Sequence, residues 1–119
     1  MQSETKARVE QLTSAAGNLV AVLRFEGDIA STSKDAVIGT YLALPKTSTP
    51  LVLLDFTKVD YINSSRIALV IQMLLEASNS GQKVCAFGLS AHFTKVFTMV
   101  GIPKYAGLFP TQAEALAEL

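Results

Sequence analysis

The sequence predicts an α/β fold: a mixed, mostly parallel β-sheet with an N-terminal β-hairpin, packed against about four α-helices. Short runs rich in β-branched and aliphatic residues recur along the chain. Amphipathic segments with helical periodicity separate them, and glycine, proline and capping residues punctuate the joins. Strands that alternate with helices imply parallel pairing. The 119 residues suit one compact domain spanning 1–119. A chain of this size buries roughly two-thirds of its unfolded surface, enough for its own core.

Lys6 to Leu12 is the first strand candidate. Ala15-Ala16-Gly17-Asn18 supplies a turn, since glycine and asparagine tolerate positive φ. Leu19 to Glu26 forms the second strand, and the two together make an antiparallel hairpin. Gly27 to Ser33 reads as a polar break, after which Thr32 or Ser33 caps a helix carrying Val37, Ile38, Tyr41 and Leu42 on one face. Pro45 and Pro50 bracket its exit.

Leu51 to Phe56 is almost wholly apolar, as expected of an interior strand covered on both faces. Thr57 to Ile62 leads from it to a second helix with Asn63 as N-cap and Ile67, Val70, Ile71, Leu74 and Ser78 sharing a face. The opposite face holds Ser65, Arg66, Leu69, Gln72, Met73 and Glu76, so Leu69 and Met73 are expected on the surface. Ser80-Gly81 ends this helix.

Lys83 to Leu89 is a further strand, and Ser90 caps a helix that turns Phe93, Val96, Phe97 and Val100 toward a core. Gly101 stops it and Pro103 prevents its resumption. Tyr105 to Phe109 makes a short last strand. Thr111-Gln112-Ala113-Glu114 matches a capping box and opens a final helix through Leu116 and Leu119.

Composition narrows the function classes. Half of the residues are hydrophobic and 17% are charged, a balance unlike that of disordered chains. Ten basic residues offset ten acidic ones, so no global field draws nucleic acid or anionic lipid. No apolar stretch approaches the ~20 residues that span a bilayer, and the first residues lack a secretory h-region. A cytoplasmic protein without direct membrane insertion is expected. Cys85 is the sole cysteine and sits in an apolar run, so it is expected to be a buried structural thiol.

Catalytic, metal and cofactor motifs are not found. His92 is the only histidine, near a helix start, and reads as a surface or cap residue. Asp55 and Asp60 do not assemble with a nucleophile and base into a catalytic set. No Gly-rich phosphate loop, dinucleotide fingerprint or Cys/His cluster is present. Lys83, Lys95 and Lys104 lack the aromatic interleaving of a single-strand nucleic-acid binder. The chain is therefore expected not to be an enzyme and to need no cofactor.

The segment Leu51-Val52-Leu53-Leu54-Asp55-Phe56-Thr57-Lys58-Val59-Asp60-Tyr61-Ile62-Asn63-Ser64-Ser65-Arg66 resembles the central signature of STAS domains. There a buried aliphatic strand ending in Leu-Asp runs through a short loop into an acidic-serine turn and a helix. Gly81 to Leu89 is similar to the next family strand, Phe93 to Ile102 to the next helix, and Thr111 to Leu119 to the closing helix. Phe25-Glu26-Gly27-Asp28-Ile29 resembles the turn after the second strand. The likeness covers nearly the whole chain, most thinly over residues 1–18.

The resemblance is to the anti-sigma-factor antagonist branch of this bacterial family. It implies a module that switches protein partners, controlled by phosphorylation of Ser64. It further implies a GHKL-type serine kinase that is also the anti-sigma factor, and a PP2C-type phosphatase. Ala30, Asn63, Ser64, Ser65, Arg66, Leu69 and Met73 are the expected partner-binding residues. Three of these positions depart from the family pattern: Asn63 replaces an acidic residue, Arg66 a glycine, and Ala30 an aspartate. They favour the alternative of a non-phosphorylated scaffold subunit in a stressosome-like or ABC-transporter-associated complex. The oligomeric state is left open.

Overall fold

The computed structural model describes residues 6–29, 35–44, 49–63 and 67–119. Strand β1, Lys6–Thr13, pairs antiparallel with β2, Leu19–Ile29. Their turn is closed by Ser14, whose N–H donates to the Asn18 carbonyl at 2.8 Å and whose hydroxyl accepts from the Asn18 N–H at 3.1 Å. A π-helical turn, Asp35–Gly39, leads into α1, Thr40–Leu42. Then come β3, Leu51–Ile62; α2, Ile67–Asn79; β4, Lys83–Phe87; and α3, Ala91–Met99. A 3₁₀ turn, Ile102–Lys104, β5, Ala106–Phe109, and α4, Gln112–Ala117, complete the described chain. The sheet runs β1-β2-β3-β4-β5, with every pair after the hairpin parallel.

Period-2 alternation sends the strands' side chains to two apolar faces. Leu23, Phe25, Val52, Leu54, Phe56, Val84 and Ala86 point to a main face, covered by the 35–42 segment, α2, α3 and Ile102. Val20, Val22, Leu53, Cys85 and Phe87 point to a second face, against Ala115, Leu116 and Leu119. This explains why Leu51 to Phe56 has no polar alternation: both of its sides are covered.

The order of elements matches expectation, while two boundaries move. The Gly27 to Ile29 stretch continues β2 instead of breaking it, and Thr57 to Ile62 belongs to β3. The reason lies in the pairing. Arg24 faces Asp55 and Glu26 faces Lys58; Gly27 faces Val59 and Asp28 faces Tyr61. Each interval holds one more residue on β3 than on β2, so β3 carries two bulges, an uncommon device in a parallel pair. Each extra residue inverts the alternation. The main-face positions therefore run Val52, Leu54, Phe56, then Val59, then Ile62. A sequence pattern broken in this way does not read as a strand.

The helices also show departures. Val37, Ile38 and Tyr41 are buried as expected, but Leu42 is 50% exposed, because the wider π-helical turn shifts the apolar stripe. On α2 the correction is larger. Leu69 and Met73, expected on the surface, are 8% and 1% exposed and belong to the main core. α2 packs against the π-helical segment as well as over the sheet. Its apolar face is therefore broader than a single stripe: Ile67, Val70, Leu74 and Ala77 flanked by Leu69 and Met73. Gln72 and Glu76 do face out, with Ala68 and Leu75, while Ile71 is half-buried and Ser78 is exposed. Val100, expected inward, is also exposed, since α3 ends at Gly101 with φ of +87° before it can turn that residue under.

Candidate functional site

The site is assembled at the carboxyl ends of β2 and β3. Ile29 and Ile62 pair there, and the Asn63 N–H donates to the Ile29 carbonyl at 2.8 Å. Asn63 is half-buried, and Ile67, at the start of α2, is buried. Ser64, Ser65, Arg66 and Ala30 lie outside the described residues. Their immediate neighbours in sequence, Ile29, Asn63 and Ile67, are held by strand pairing, a backbone hydrogen bond and burial respectively. Leu69 and Met73 do not join a surface here; both are core residues of α2.

The first bulge of β3 is held by a polar knot. The Asp55 Oδ1 accepts from the Thr57 N–H at 2.8 Å and from the Thr57 hydroxyl at 2.7 Å. An aspartate bonded to the backbone two residues ahead is a turn-forming arrangement, and here it fixes the extra residue. The other oxygen, Oδ2, accepts from Arg24 Nη1 at 2.7 Å. Gly88, with φ of +84°, leaves the room that Thr57 needs: a Cβ there would lie 2.3 Å from Thr57 Cγ2. These contacts account for Asp55 structurally, as a shaper of the strand that carries Asn63.

Arg24 extends the knot. Its Nε donates to Glu10 Oε2 at 2.8 Å and its Nη2 to Gln112 Oε1 at 3.1 Å, so one guanidinium joins β1, β3 and α4. Burial works against the Arg24 charge, but its hydrogen bonds to Glu10 and Asp55 outweigh that and raise its pKa further. The hydrogen bond from Arg24 draws the Glu10 carboxyl below its ordinary value, helped by the charges of Arg24 and Arg8. Sequence reading missed this network. Its trace was a lone arginine in an apolar strand and a lone aspartate closing another.

One aromatic side chain is exposed in the same stretch of β3, beside aromatic residues of α3. Tyr61, turned outward by the second bulge, is 48% exposed and packs edge-to-face with Phe93 at a centroid distance of 6.2 Å. His92 is exposed and adjoins Phe93 at 5.0 Å, in the first turn of α3. Ser90 caps that helix as expected, its hydroxyl accepting from the Phe93 N–H at 3.2 Å. Cys85 is buried as expected, and burial pushes its thiol pKa up.

Among the described residues, no group of three His, Cys, Asp or Glu side chains gathers as a metal site. No described helix is long and apolar enough to cross a membrane. A cleft of about 530 Å³ opens between α3 and β5, lined by Leu89, Thr94, Lys95, Leu108, Phe109 and Pro110. Its one titratable lining side chain, Lys95, does not make a nucleophile–base–orienter set.

The fold has clear relatives. It is similar to an anti-sigma factor antagonist from Mycobacterium paratuberculosis at 21% identity, with a TM-score of 0.73, covering 97% of this chain and 93% of that one. Phosphorylated SpoIIAA, a Bacillus cell fate determinant, matches at 18% identity and a TM-score of 0.68, with 94% and 97% coverage. The STAS domain of a SulP transporter from Vibrio cholerae matches at 16% identity and a TM-score of 0.66, with 83% and 77% coverage. Comparison with curated protein sequences gives no match. The family model described as STAS domain matches residues 8–115, nearly the full chain, and the chain belongs to that family.

Proposed function

We propose that this STAS domain is an anti-sigma-factor antagonist that works by switching protein partners in the bacterial cytoplasm, with Ser64 as the residue phosphorylated. The observation that carries the reading is the Asn63–Ile29 backbone bond beside buried Ile67. It leaves three residues, 64–66, to link the rim of the sheet to the first described turn of α2. In this reading Ser64 is the serine that the kinase modifies, in the link that precedes α2 in the sequence. Ala30, Asn63, Ser65 and Arg66 are its proposed partner-binding neighbours in the motif, and a GHKL-type kinase and a PP2C-type phosphatase are the partners.

The switch follows from electrostatics. Unpaired N–H groups at a helix start favour an anion by about 0.3–1 kcal/mol when exposed. The domain therefore tolerates its own phosphate. A phosphate adds about −1.5 to −2 charges to any contact surface, and desolvating that charge against an apolar or acidic partner costs more than the helix returns. Phosphorylation thus edits the surface and leaves the fold intact.

The test is incubation with the cognate kinase and ATP, followed by intact-mass measurement. One added phosphate that disappears in Ser64→Ala, with partner affinity at least tenfold weaker in Ser64→Asp, is the expected result. No added mass and equal affinities across these variants would overturn it. That outcome would favour the scaffold reading, to which the departures at Ala30, Asn63 and Arg66 point.

A further inference from the structure

The two sheet faces are closed unequally, and the weaker closure has a single cover. Among the described residues, Ala115, Leu116 and Leu119 cover the second face, over a floor of Val20, Val22, Leu53, Cys85 and Phe87 with Leu12, Leu51 and Phe109 of the strands packed against it. The covering helix, α4, has six residues. A helix that short has no stability apart from what it docks against, because its nucleation cost is not recovered. Its docking is local: three side chains and a few polar tethers.

The tethers lie at its two ends. In the first turn Gln112 accepts from Arg24, whereas the Thr111 hydroxyl, accepting from the Glu114 N–H at 3.3 Å, caps the helix itself. At the far end Asn18 Nδ2 donates to the Leu119 carbonyl at 3.1 Å and Lys83 Nζ to the Glu118 carbonyl at 2.5 Å. The main core, with α2 and α3, shares no buried side chain with this cluster. Loss of α4 therefore leaves the main core's contacts in place, the condition for a sub-global opening.

We propose that α4 is a detachable cover that opens as a unit while the main core stays folded, with Arg24 as the pin that holds its first turn. Arg24 binds Gln112 of α4 and Asp55 of β3 through the same guanidinium, and Asp55 fixes the Thr57 bulge. Opening of α4 and the setting of that bulge are therefore linked: whatever loosens the Asp55–Arg24 pair also frees the cover. This inference is independent of phosphorylation at Ser64.

Cys85 reports the opening, because its thiol belongs to the covered cluster and is 2% exposed. The full chain is treated with a thiol reagent in excess across low urea concentrations, and the labelling rate is compared with global unfolding followed by circular dichroism. A cover that opens alone gives labelling with a much shallower urea dependence than global unfolding. Gln112→Ala raises the rate about tenfold, the low end of what one hydrogen bond to a charged group contributes. Leu119→Ala raises it more than tenfold, and Asp55→Asn raises it with the shallow slope retained. Labelling that tracks the global unfolding slope in wild type overturns the detachable cover, as does an unchanged rate in both Gln112→Ala and Leu119→Ala. An unchanged rate in Asp55→Asn overturns the role of Arg24 as pin. Hydrogen exchange at the amides of residues 115–119 gives the same distinction if a variant proves too unstable to label.

Discussion

The two faces of the sheet are made from the same strands yet are stabilised differently. On the main face, residues from α1, α2, α3 and the 3₁₀ turn interlock with Phe25, Phe56 and Ile62, and Phe56 meets Phe25 in a tilted pair and Phe97 edge to face. On the second face a single short helix lies over a smaller apolar floor, and a charged network supplies its edge. The lesson is that alternation along a strand guarantees two apolar faces but not two equal cores. What differs is the cover: contiguous helices on one side, three side chains and a guanidinium on the other.

That contrast is broken most directly on the main face. Met73→Glu places a carboxylate where no water reaches, and loss of the cooperative unfolding transition is expected. Gln72→Glu, one position along and exposed, leaves the stability measured in urea within about 0.5 kcal/mol of wild type. A Met73→Glu domain that still folds would return Met73 to the surface face of α2. On the second face a smaller loss is expected. Arg24→Met leaves the Asp55 oxygen and the Gln112 amide oxygen without their donor, a cost of about 1–3 kcal/mol by urea denaturation.

The smallest effect is in pH. The Glu10 carboxyl lies below its ordinary value of 4.5 in the folded chain, chiefly through the Arg24 hydrogen bond. The stability this supplies is present above that value and is lost as the pH falls through the depressed one. The difference in urea midpoint between wild type and Glu10→Gln is therefore expected to be visible at neutral pH and to vanish in acid. A difference that persists unchanged at low pH would detach Glu10 from the network.

Much of the fold was legible in the sequence. The apolar run Leu51 to Phe56 announced a strand covered on both sides, and Ser90 and Thr111 announced their helices, because capping and alternation are local physics. The bulges were not legible, since they depend on the pairing of β3 with β2, residue against residue. Leu69 and Met73 failed for the same reason. Their positions on a helical wheel are local, whereas the segment that buries one side of α2 arrives from residues 35–42. Of the candidate site, Ser64 itself lies outside the described residues, and the stretch before it, read as a lead into α2, is strand. Arg24, which ties β3 to the rest of the molecule, carried no motif at all.

The doubled bulge in β3 has a bearing on how the strand tolerates change in length. Each of the two extra residues inverts the facing of the chain beyond it, so their effects cancel and Ile62 returns to the phase of Phe56. Excising a single residue between Phe56 and Ile62 would present the wrong side of the backbone to α2. Excising both would shorten the ribbon yet keep its ends in step, so this stretch is built to gain or lose residues in twos.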